Sequence, residues 1–371
     1  MPDEVMIVAG EPSGDNHAAR LVNQLPDIKF FGMGGKAMQD AGVEIIQDID
    51  QMSVMGLFEL LTKLAFLYRV LFKLKRILSQ RRPALIILVD YQAFNLKLAK
   101  IAKKLGIKTL FYIGPQVWAW RSYRVHKLSK IVDQMAVIFP FEVDFYQQHK
   151  MKATFVGHPL VEGIKLQAFD FKEKYKINKT LIAFLPGSRS SEINKHMPIF
   201  RQVISQLENN ENLELVISRY KKENPATNEQ FSNLPKRVKI IDHDYYDMIN
   251  AADLAVVASG TATLETALLK TPMIMIVKVA NLSYFIYRKM VNVPFISIVN
   301  IIAGKKIVPE LIQQDANARN IVKHIENLLA NNQAMAEMQQ GFAMVAQKLA
   351  IKPQDSLANL VKKLLSENSR G

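Results

Sequence analysis

Three short segments place small residues and hydrogen-bonding side chains where an apolar run hands over to a helical pattern. Gly10-Glu11-Pro12-Ser13-Gly14-Asp15 follows the run at 5–9; its glycines admit close backbone approach, and Ser13 or Asp15 can cap the helix that starts there. Pro186-Gly187-Ser188-Arg189 follows the run at 181–185 and sets an arginine at a helix start. A guanidinium beside free N–H groups suits a diphosphate. Ser259-Gly260-Thr261-Ala262-Thr263-Leu264-Glu265 follows the run at 254–258, and Glu265 falls near the first helical turn, where a carboxylate can accept both hydroxyls of a ribose. Taken singly, each turn also suits an ordinary capped helix, because the helix dipole favours an acid near its start. Together, two phosphate-type turns and a ribose-type carboxylate describe a nucleoside diphosphate site built from Ser188, Arg189, Ser259, Gly260, Thr261 and Glu265. The first turn is not GxGxxG and no GxxxxGK[ST] occurs, so neither a nicotinamide cofactor nor a P-loop ATPase is supported.

The first half of the chain holds the remaining candidates. Asp90 ends the apolar run ALIILVD, so its carboxylate is expected at a strand terminus, with Asn95 following in the next turn or first helical turn. The two tryptophans, Trp118 and Trp120, stand in Gly114-Pro115-Gln116-Val117-Trp118-Ala119-Trp120-Arg121. That loop reads equally as a sugar or acyl platform and as a buried structural pair. His158, in Gly157-His158-Pro159, is isolated in sequence and reads as a capping or otherwise satisfied histidine. No HExxH or other cluster has metal-ligand spacing, so no metal and no cofactor are expected.

These residues sit in a chain of 371 residues with 48 Lys+Arg against 34 Asp+Glu, a formal net charge of +14, and no cysteine. The absence of cysteine excludes disulfides, thiolate metal sites and cysteine nucleophiles, and fits a reducing compartment. The N-terminal apolar run is too short for a signal peptide, and no stretch approaches a membrane span. A cytoplasmic protein, soluble or peripherally attached, is expected. The charge is local: residues 57–82 carry seven Lys/Arg and one Glu, and residues 120–130 carry four cations and no acid. The first of these segments predicts a helix with Leu57, Leu60, Leu61, Leu64, Leu67, Leu71, Leu74 and Leu78 on one stripe. Lys63, Arg69, Lys73 and Arg76 lie largely opposite, with Phe66, Val70 and Ile77 read onto that outer side. Apolar groups among cations suit a helix lying on an anionic membrane surface. An amphipathic core helix with a solvated basic face is the competing reading. Nucleic acid is not expected, since no helix-turn-helix, RNA-binding or zinc pattern accompanies the charge.

The elements that must position these groups alternate strand and helix. Apolar β-rich runs at 5–9, 85–89, 109–113, 134–139, 181–185, 213–218, 239–241, 254–258 and 273–277 are separated by helical patterns, which predicts parallel sheets of βαβ units. The openings VMIVAGEPSGD and LIAFLPGSRSSE each run from a buried strand into a Gly/Ser turn and a helix. An α/β chain with two Rossmann-like parallel-sheet domains follows, residues 1–165 and 166–352, with the helices from about 353 packing back on the first. Ligands are expected in the cleft between such domains.

Taken together, VAGEPSGD, FGMGGKAMQDAGVE, SVMGLFELL, VWAWR, GHPL, LPGSR, ASGTATLE and IVPELIQ, in this order over about 300 residues, resemble the lipid-A-disaccharide synthases. These are inverting glycosyltransferases of the GT-B architecture, two Rossmann-like domains facing across a cleft. The resemblance implies transfer of 2,3-diacylglucosamine from its UDP conjugate to the 6-hydroxyl of 2,3-diacylglucosamine 1-phosphate. The products would be the β-1,6-linked disaccharide 1-phosphate and UDP. It further implies metal-independent work at the inner face of the cytoplasmic membrane, and it leaves a homodimer open. Phe66, Val70, Ile77, Arg69 and Lys73 would then meet the membrane, and the aromatic-basic stretch at 284–290 would border the same surface. Ser13, Gly14, Trp118 and Asn300 would address the acceptor or sugar, with Asp90, Glu11 and Asn95 at the reacting centre.

One position departs from the family. Where it usually reads Asp-x-Pro-Asp-Phe-Asn, with the second Asp as the favoured base, this chain has Asp90-Tyr91-Gln92-Ala93-Phe94-Asn95. Alanine cannot take a proton. Asp90 or Glu11 would have to serve, or the chain binds UDP and lipid without turnover. Another UDP-sugar enzyme of similar architecture, such as a UDP-N-acetylglucosamine 2-epimerase, is the third reading.

Overall fold

The computed structural model describes residues 4–50, 60–119, 124–219, 225–279 and 294–368. Leu57, Trp120, Arg121 and the 284–290 stretch lie outside them, as do the side chains at 60–64. The chain divides into two units, Met1–Pro159 with Ile351–Gly371, and Leu160–Ala350.

The first unit runs β1 (Glu4–Ala9), α1 (Pro12–Asn23), β2 (Lys29–Gly34), α2 (Lys36–Asp40), β3 (Glu44–Asp48), α3 (Leu60–Arg81), β4 (Leu85–Val89), α4 (Gln92–Lys104), β5 (Lys108–Tyr112), α5 (Val125–Leu128), β6 (Gln134–Val137), α6 (Pro140–Gln148) and β7 (Ala153–Phe155). Its strands form one sheet in the order β3-β2-β1-β4-β5-β6-β7, every pairing parallel. Side chains alternate between two buried clusters: Met6 and Val8 with Ile86 and Leu88 on one face, and Val5, Ile7 and Ala9 with Leu85, Ile87 and Val89 on the other. That is why the strands read as continuous apolar runs: both faces are covered.

The second unit runs α7 (Pro159–Gly163), α8 (Phe171–Lys174), β8 (Thr180–Leu185), α9 (Ser190–Leu207), β9 (Leu213–Ser218), α10 (Pro225–Ser232), β10 (Lys239–Ile241), α11 (Tyr245–Ala251), β11 (Leu254–Ala258), α12 (Thr261–Leu268), β12 (Met273–Val277), α13 (Ile298–Ala303), β13 (Glu310–Ile312), α14 (Ala318–Leu329) and α15 (Asn332–Leu349). Its parallel sheet is ordered β10-β9-β8-β11-β12-β13. The last helix, α16 (Leu357–Asn368), places Ala358, Leu360, Val361, Leu364 and Leu365 in a cluster with β1 and β4 of the first unit.

The helix α3 corrects one expectation. Val70 is 2% exposed, and Phe66 and Ile77 pack half-buried against the same cluster as Leu67, Leu71, Leu74 and Leu78. At about 100° per residue these seven positions form one continuous arc of roughly 140°, so the three non-leucine residues extend the leucine stripe rather than oppose it. The outward side carries Tyr68 and Phe72, 48% and 65% exposed, among exposed Arg69, Lys73, Lys75 and Arg76. Lys73 also reaches back, donating to the carbonyl oxygen of Ile46 at 2.6 Å.

Candidate functional site

In each sheet the candidate turns leave the two strands where the strand order reverses. Ligands gather beyond the carboxyl ends of strands at such a switch point. In the first unit these strands are β1 and β4, paired in register up to Ala9 and Val89. Gly10 and Glu11 leave one, and Asp90 leaves the other. Asp90 and Tyr91 both have left-handed φ, 49° and 44°, a rare pairing for two non-glycine residues. The tyrosine ring lies over Gly10, where a Cβ would come within 2.2 Å of it. That approach is what makes glycine necessary there. Glu11 stands at the start of α1 in extended conformation, φ −137° and ψ 154°. Burial, and then the Glu11 carboxylate, raise the Tyr91 hydroxyl above its usual range. Glu11 and Asp90, both half-buried, are therefore carried by adjacent strand ends.

Several other candidates lie in or beside this turn, and Asn95 and Gly14 brace it. Asn95 has no exposed surface; its amide donates to the carbonyl oxygens of Asp90 at 2.8 Å, Val89 at 3.3 Å and Val8 at 3.5 Å. Gly14 is buried against the strands, and a Cβ there would stand 3.4 Å from Ala9 and 3.6 Å from the Val89 carbonyl oxygen. Ser13 is exposed in the first turn of α1. Asp15 is buried and accepts from the backbone N–H groups of Gly35 at 2.6 Å, Ala37 at 3.0 Å and Met38 at 3.3 Å. It thus caps α2 rather than its own helix, joining the first motif to FGMGGKAM. Ala93 is exposed on the first turn of α4.

Trp118 is a buried structural ring, not an open platform. It is 8% exposed, lies edge-on to Phe141 at 4.9 Å, and donates from Nε1 to Glu142 Oε1 at 2.9 Å. Tyr146, on the same helix α6, donates to the Pro115 carbonyl oxygen at 3.1 Å. Glu142 also accepts from the Phe139 N–H, yet burial outweighs these bonds and pushes it up to about 7. Two histidines lie in the same unit, the half-buried His17 edge-on to Tyr112 and the buried His158 beside Phe139. Burial pushes both down to about 4, so both are neutral.

In the second unit the corresponding strands are β8 and β11, with Leu185 opposite Val257. Gly187 and Gly260 open the two turns at φ 107° and 146°, values that L side chains rarely adopt. Arg189 occupies the position before α9, its side chain 67% exposed and its guanidinium 3.1 Å from Glu192. Glu192 also accepts from the N–H groups of Ser188 at 3.3 Å and Arg189 at 3.4 Å, long bonds to donors of the diphosphate-type turn. Ser259 is half-buried, while Gly260 and Thr261 are exposed at the start of α12. Glu265, half-buried, accepts from the hydroxyls of Tyr245 at 3.1 Å and Tyr246 at 3.2 Å. Burial raises it above the usual carboxylate range, and the tyrosine bonds pull against that. Sequence reasoning missed both tyrosines and His196. That imidazole donates from Nδ1 to the Pro186 carbonyl oxygen at 3.0 Å and accepts at Nε2 from the Lys278 N–H at 3.3 Å. Only its spacing, three residues after Ile193 and four and seven before Phe200 and Val203, onto the buried face of α9 could have signalled it. Asn300 is fully buried, its Oδ1 accepting from the N–H groups of Ile307 at 2.8 Å and Val308 at 2.9 Å, and its amide donating to Glu310. It closes the turn after α13. Among the described residues no group of three or more His, Asp or Glu could hold a metal ion.

The chain is similar in fold to the glycotransferase of kitacinnamycin, with a TM-score of 0.64 and 12% identity over 98% of this chain and all of that one. It is also similar to the UDP-GlcNAc 2-epimerase from Neisseria meningitidis bound to UDP-GlcNAc, with a TM-score of 0.63, 12% identity, and 98% and 100% coverage. Two Rossmann-like parallel sheets, with the candidate turns at both switch points, define the fold class, α/β of the GT-B type. The sequence profile described as lipid-A-disaccharide synthetase matches residues 5–363. The chain is 40% identical over 386 residues to the lipid-A-disaccharide synthase of Nitrosococcus oceani, covering 99% of this chain and 97% of that protein. It is 41% identical over 382 residues to lipid-A-disaccharide synthase 1 of Legionella pneumophila, covering 98% of each. The chain belongs to the lipid-A-disaccharide synthase family, and it is a glycosyltransferase of lipid A biosynthesis.

Proposed function

We propose that this protein transfers 2,3-diacylglucosamine from UDP-2,3-diacylglucosamine to the 6-hydroxyl of 2,3-diacylglucosamine 1-phosphate, with inversion, giving the β-1,6-linked disaccharide 1-phosphate and UDP. Family membership supports the reaction. The observation that carries the site is that the candidate turns leave neighbouring strands at the switch point of each sheet. The second unit binds UDP: Arg189 and the Ser188 turn take the diphosphate, the Ser259-Gly260-Thr261 turn offers backbone N–H groups, and Glu265 accepts the ribose hydroxyls. As the acceptor oxygen attacks the anomeric carbon, the bond to UDP breaks and the diphosphate gains charge, which Arg189 offsets. A base must remove the acceptor proton, a contribution of typically 10²–10⁴-fold. Glu11 and Asp90 are the carboxylates offered for it, since Ala93 cannot act.

Among the described residues no helix is long and apolar enough to cross a membrane. Attachment to the anionic surface of the inner membrane is therefore assigned to the outward side of α3, with Phe72 and Tyr68 entering the interface and Arg69, Lys73, Lys75 and Arg76 meeting lipid phosphates. Both substrates carry acyl chains, which gives such a surface its purpose.

Ala93 favours one second reading, a protein that binds UDP and lipid without turnover. The two separate on turnover of the two lipid substrates in mixed micelles, measured for the wild type, Asp90→Asn and Glu11→Gln. Disaccharide formation lost in one carboxamide variant supports the transferase and names its base. UDP binding with no disaccharide supports the second reading.

A further inference from the structure

We propose that Tyr245 and Tyr246 orient Glu265 so that each of its carboxylate oxygens keeps one acceptor site for a ribose hydroxyl, which makes the tyrosine pair the determinant of ribose over 2′-deoxyribose. The inference rests on the reading of Glu265 as the ribose carboxylate. An ionised carboxylate offers about four lone-pair sites on two oxygens. Tyr246 donates to Oε1 at 3.2 Å and Tyr245 to Oε2 at 3.1 Å, one hydroxyl per oxygen. Each oxygen thereby keeps a second site, and the pair of remaining sites matches a cis diol. A lone carboxylate on a helix rotates about its side-chain torsions, and ordering it costs entropy at the moment of binding. Two donors fix it beforehand.

The local fold explains how neighbouring residues reach one side chain. Successive residues inside a helix point about 100° apart and do not share a target. Tyr245 and Tyr246 instead open α11, directly after Asp244, which holds a left-handed φ of 59°. Asp244 is tied down by Lys174 and by the Tyr175 hydroxyl at 3.1 Å. The two rings meet edge to face at 5.4 Å and an interplanar angle of 61°, and each hydroxyl reaches its own oxygen of Glu265. Nothing in α12 itself supplies a donor to either oxygen among the hydrogen bonds described for Glu265.

The test is calorimetric titration of UDP and 2′-deoxy-UDP into the full-length wild type, Tyr245→Phe, Tyr246→Phe and Glu265→Gln. The readout is the affinity ratio of the two nucleotides within one preparation, so any loss of folded protein cancels. Loss of one hydrogen bond to a charged group corresponds to roughly tenfold or more, so the wild type is expected to prefer UDP by that factor. Each phenylalanine variant keeps its ring packing, and its ratio is expected to fall by about threefold or more towards unity. Phenylalanine variants that keep the wild-type ratio, whatever their absolute affinity, overturn the proposal and leave the ribose reading of Glu265 standing. A wild type without preference, or a Glu265→Gln variant that keeps it, overturns the ribose reading and the proposal with it.

Discussion

The side-chain amide of Asn95 donates to the carbonyl oxygen of Asp90 at 2.8 Å from a position with no exposed surface. It thereby braces the left-handed turn that carries the Asp90 carboxylate, and links it to the ends of β1 and β4. Removing the amide in Asn95→Ala leaves these carbonyl oxygens without it in the interior. A loss of about 1–3 kcal/mol in unfolding free energy is expected by urea denaturation. Turnover is expected to fall with UDP affinity unchanged, because the second unit is untouched. A stable, fully active Asn95→Ala protein would dismiss this bracing role.

Gly10 and Tyr91 form a second constraint on the same turn. A methyl group at Gly10 would meet the Tyr91 ring at 2.2 Å, so Gly10→Ala is expected to destabilise by about 1–3 kcal/mol through overpacking. In a Tyr91→Ala background the same substitution is expected to cost less, and the coupling energy from a double-mutant cycle measures the clash. Additive effects would place the strain elsewhere.

Glu142 gives a pH dependence with a defined sign. Burial pushes its folded pKa up to about 7 from an ordinary value of 4.5. Between these values the folded protein holds a proton that the unfolded chain has released, so stability falls as pH rises through this window, by about 3 kcal/mol in order of magnitude. Glu142→Gln keeps an acceptor for Trp118 and does not titrate. The stability difference between variant and wild type is therefore expected to shift in favour of the variant between about pH 5 and pH 8. His17 and His158, pushed down to about 4, give the opposite slope as pH falls below 6.5, and cancel in that difference. A difference that does not move with pH would mean that Glu142 stays ionised.

On α3, Phe72→Ser with Tyr68→Ser is expected to reduce sedimentation with vesicles containing anionic lipid while leaving the melting temperature in place. Val70→Ser is expected to do the reverse, costing about 2–4 kcal/mol of stability as a buried side chain is shortened and made polar. Equal vesicle binding by the double variant would move the membrane surface away from this helix.

Arg189→Ala is expected to weaken UDP binding by about 1.5–3 kcal/mol, the worth of a charge-assisted contact to the diphosphate. Uridine, which lacks the diphosphate, serves as control and is expected to bind the variant and the wild type alike. Equal losses for both ligands would assign Arg189 to the turn rather than to the phosphates.

Much of this was readable from residue order. All nine apolar runs contain strands of the two sheets, because a strand covered on both faces must be apolar throughout. The four strands that carry no such run are β2, β3, β7 and β13. Three of them are sheet edges, half-exposed and short, and β2 is interrupted by glycines at Gly32 and Gly34. The positions of Glu11, Asp90, Arg189 and Glu265 after or near strand ends were legible for the same reason: a Gly/Ser turn after an apolar run marks where a strand stops.

Residue order alone dictates the parallel α/β class, the division of strand runs into two sets, and the turns where polar groups emerge. Those are consequences of local periodicity and turn chemistry, which act over a few residues. What each polar side chain meets follows instead from the packing of segments distant in the chain. Asp15 was free to cap its own helix but is taken by Gly35, twenty residues on; Trp118 meets Glu142 across twenty-four; Asn95 reaches Val8 across eighty-seven. The same packing sets the phase of α3, where Val70 enters the core and Phe72 does not. Periodicity defines an apolar arc, but which edge of that arc is covered depends on the sheet it packs against, and that surface is assembled from strands distant in the chain.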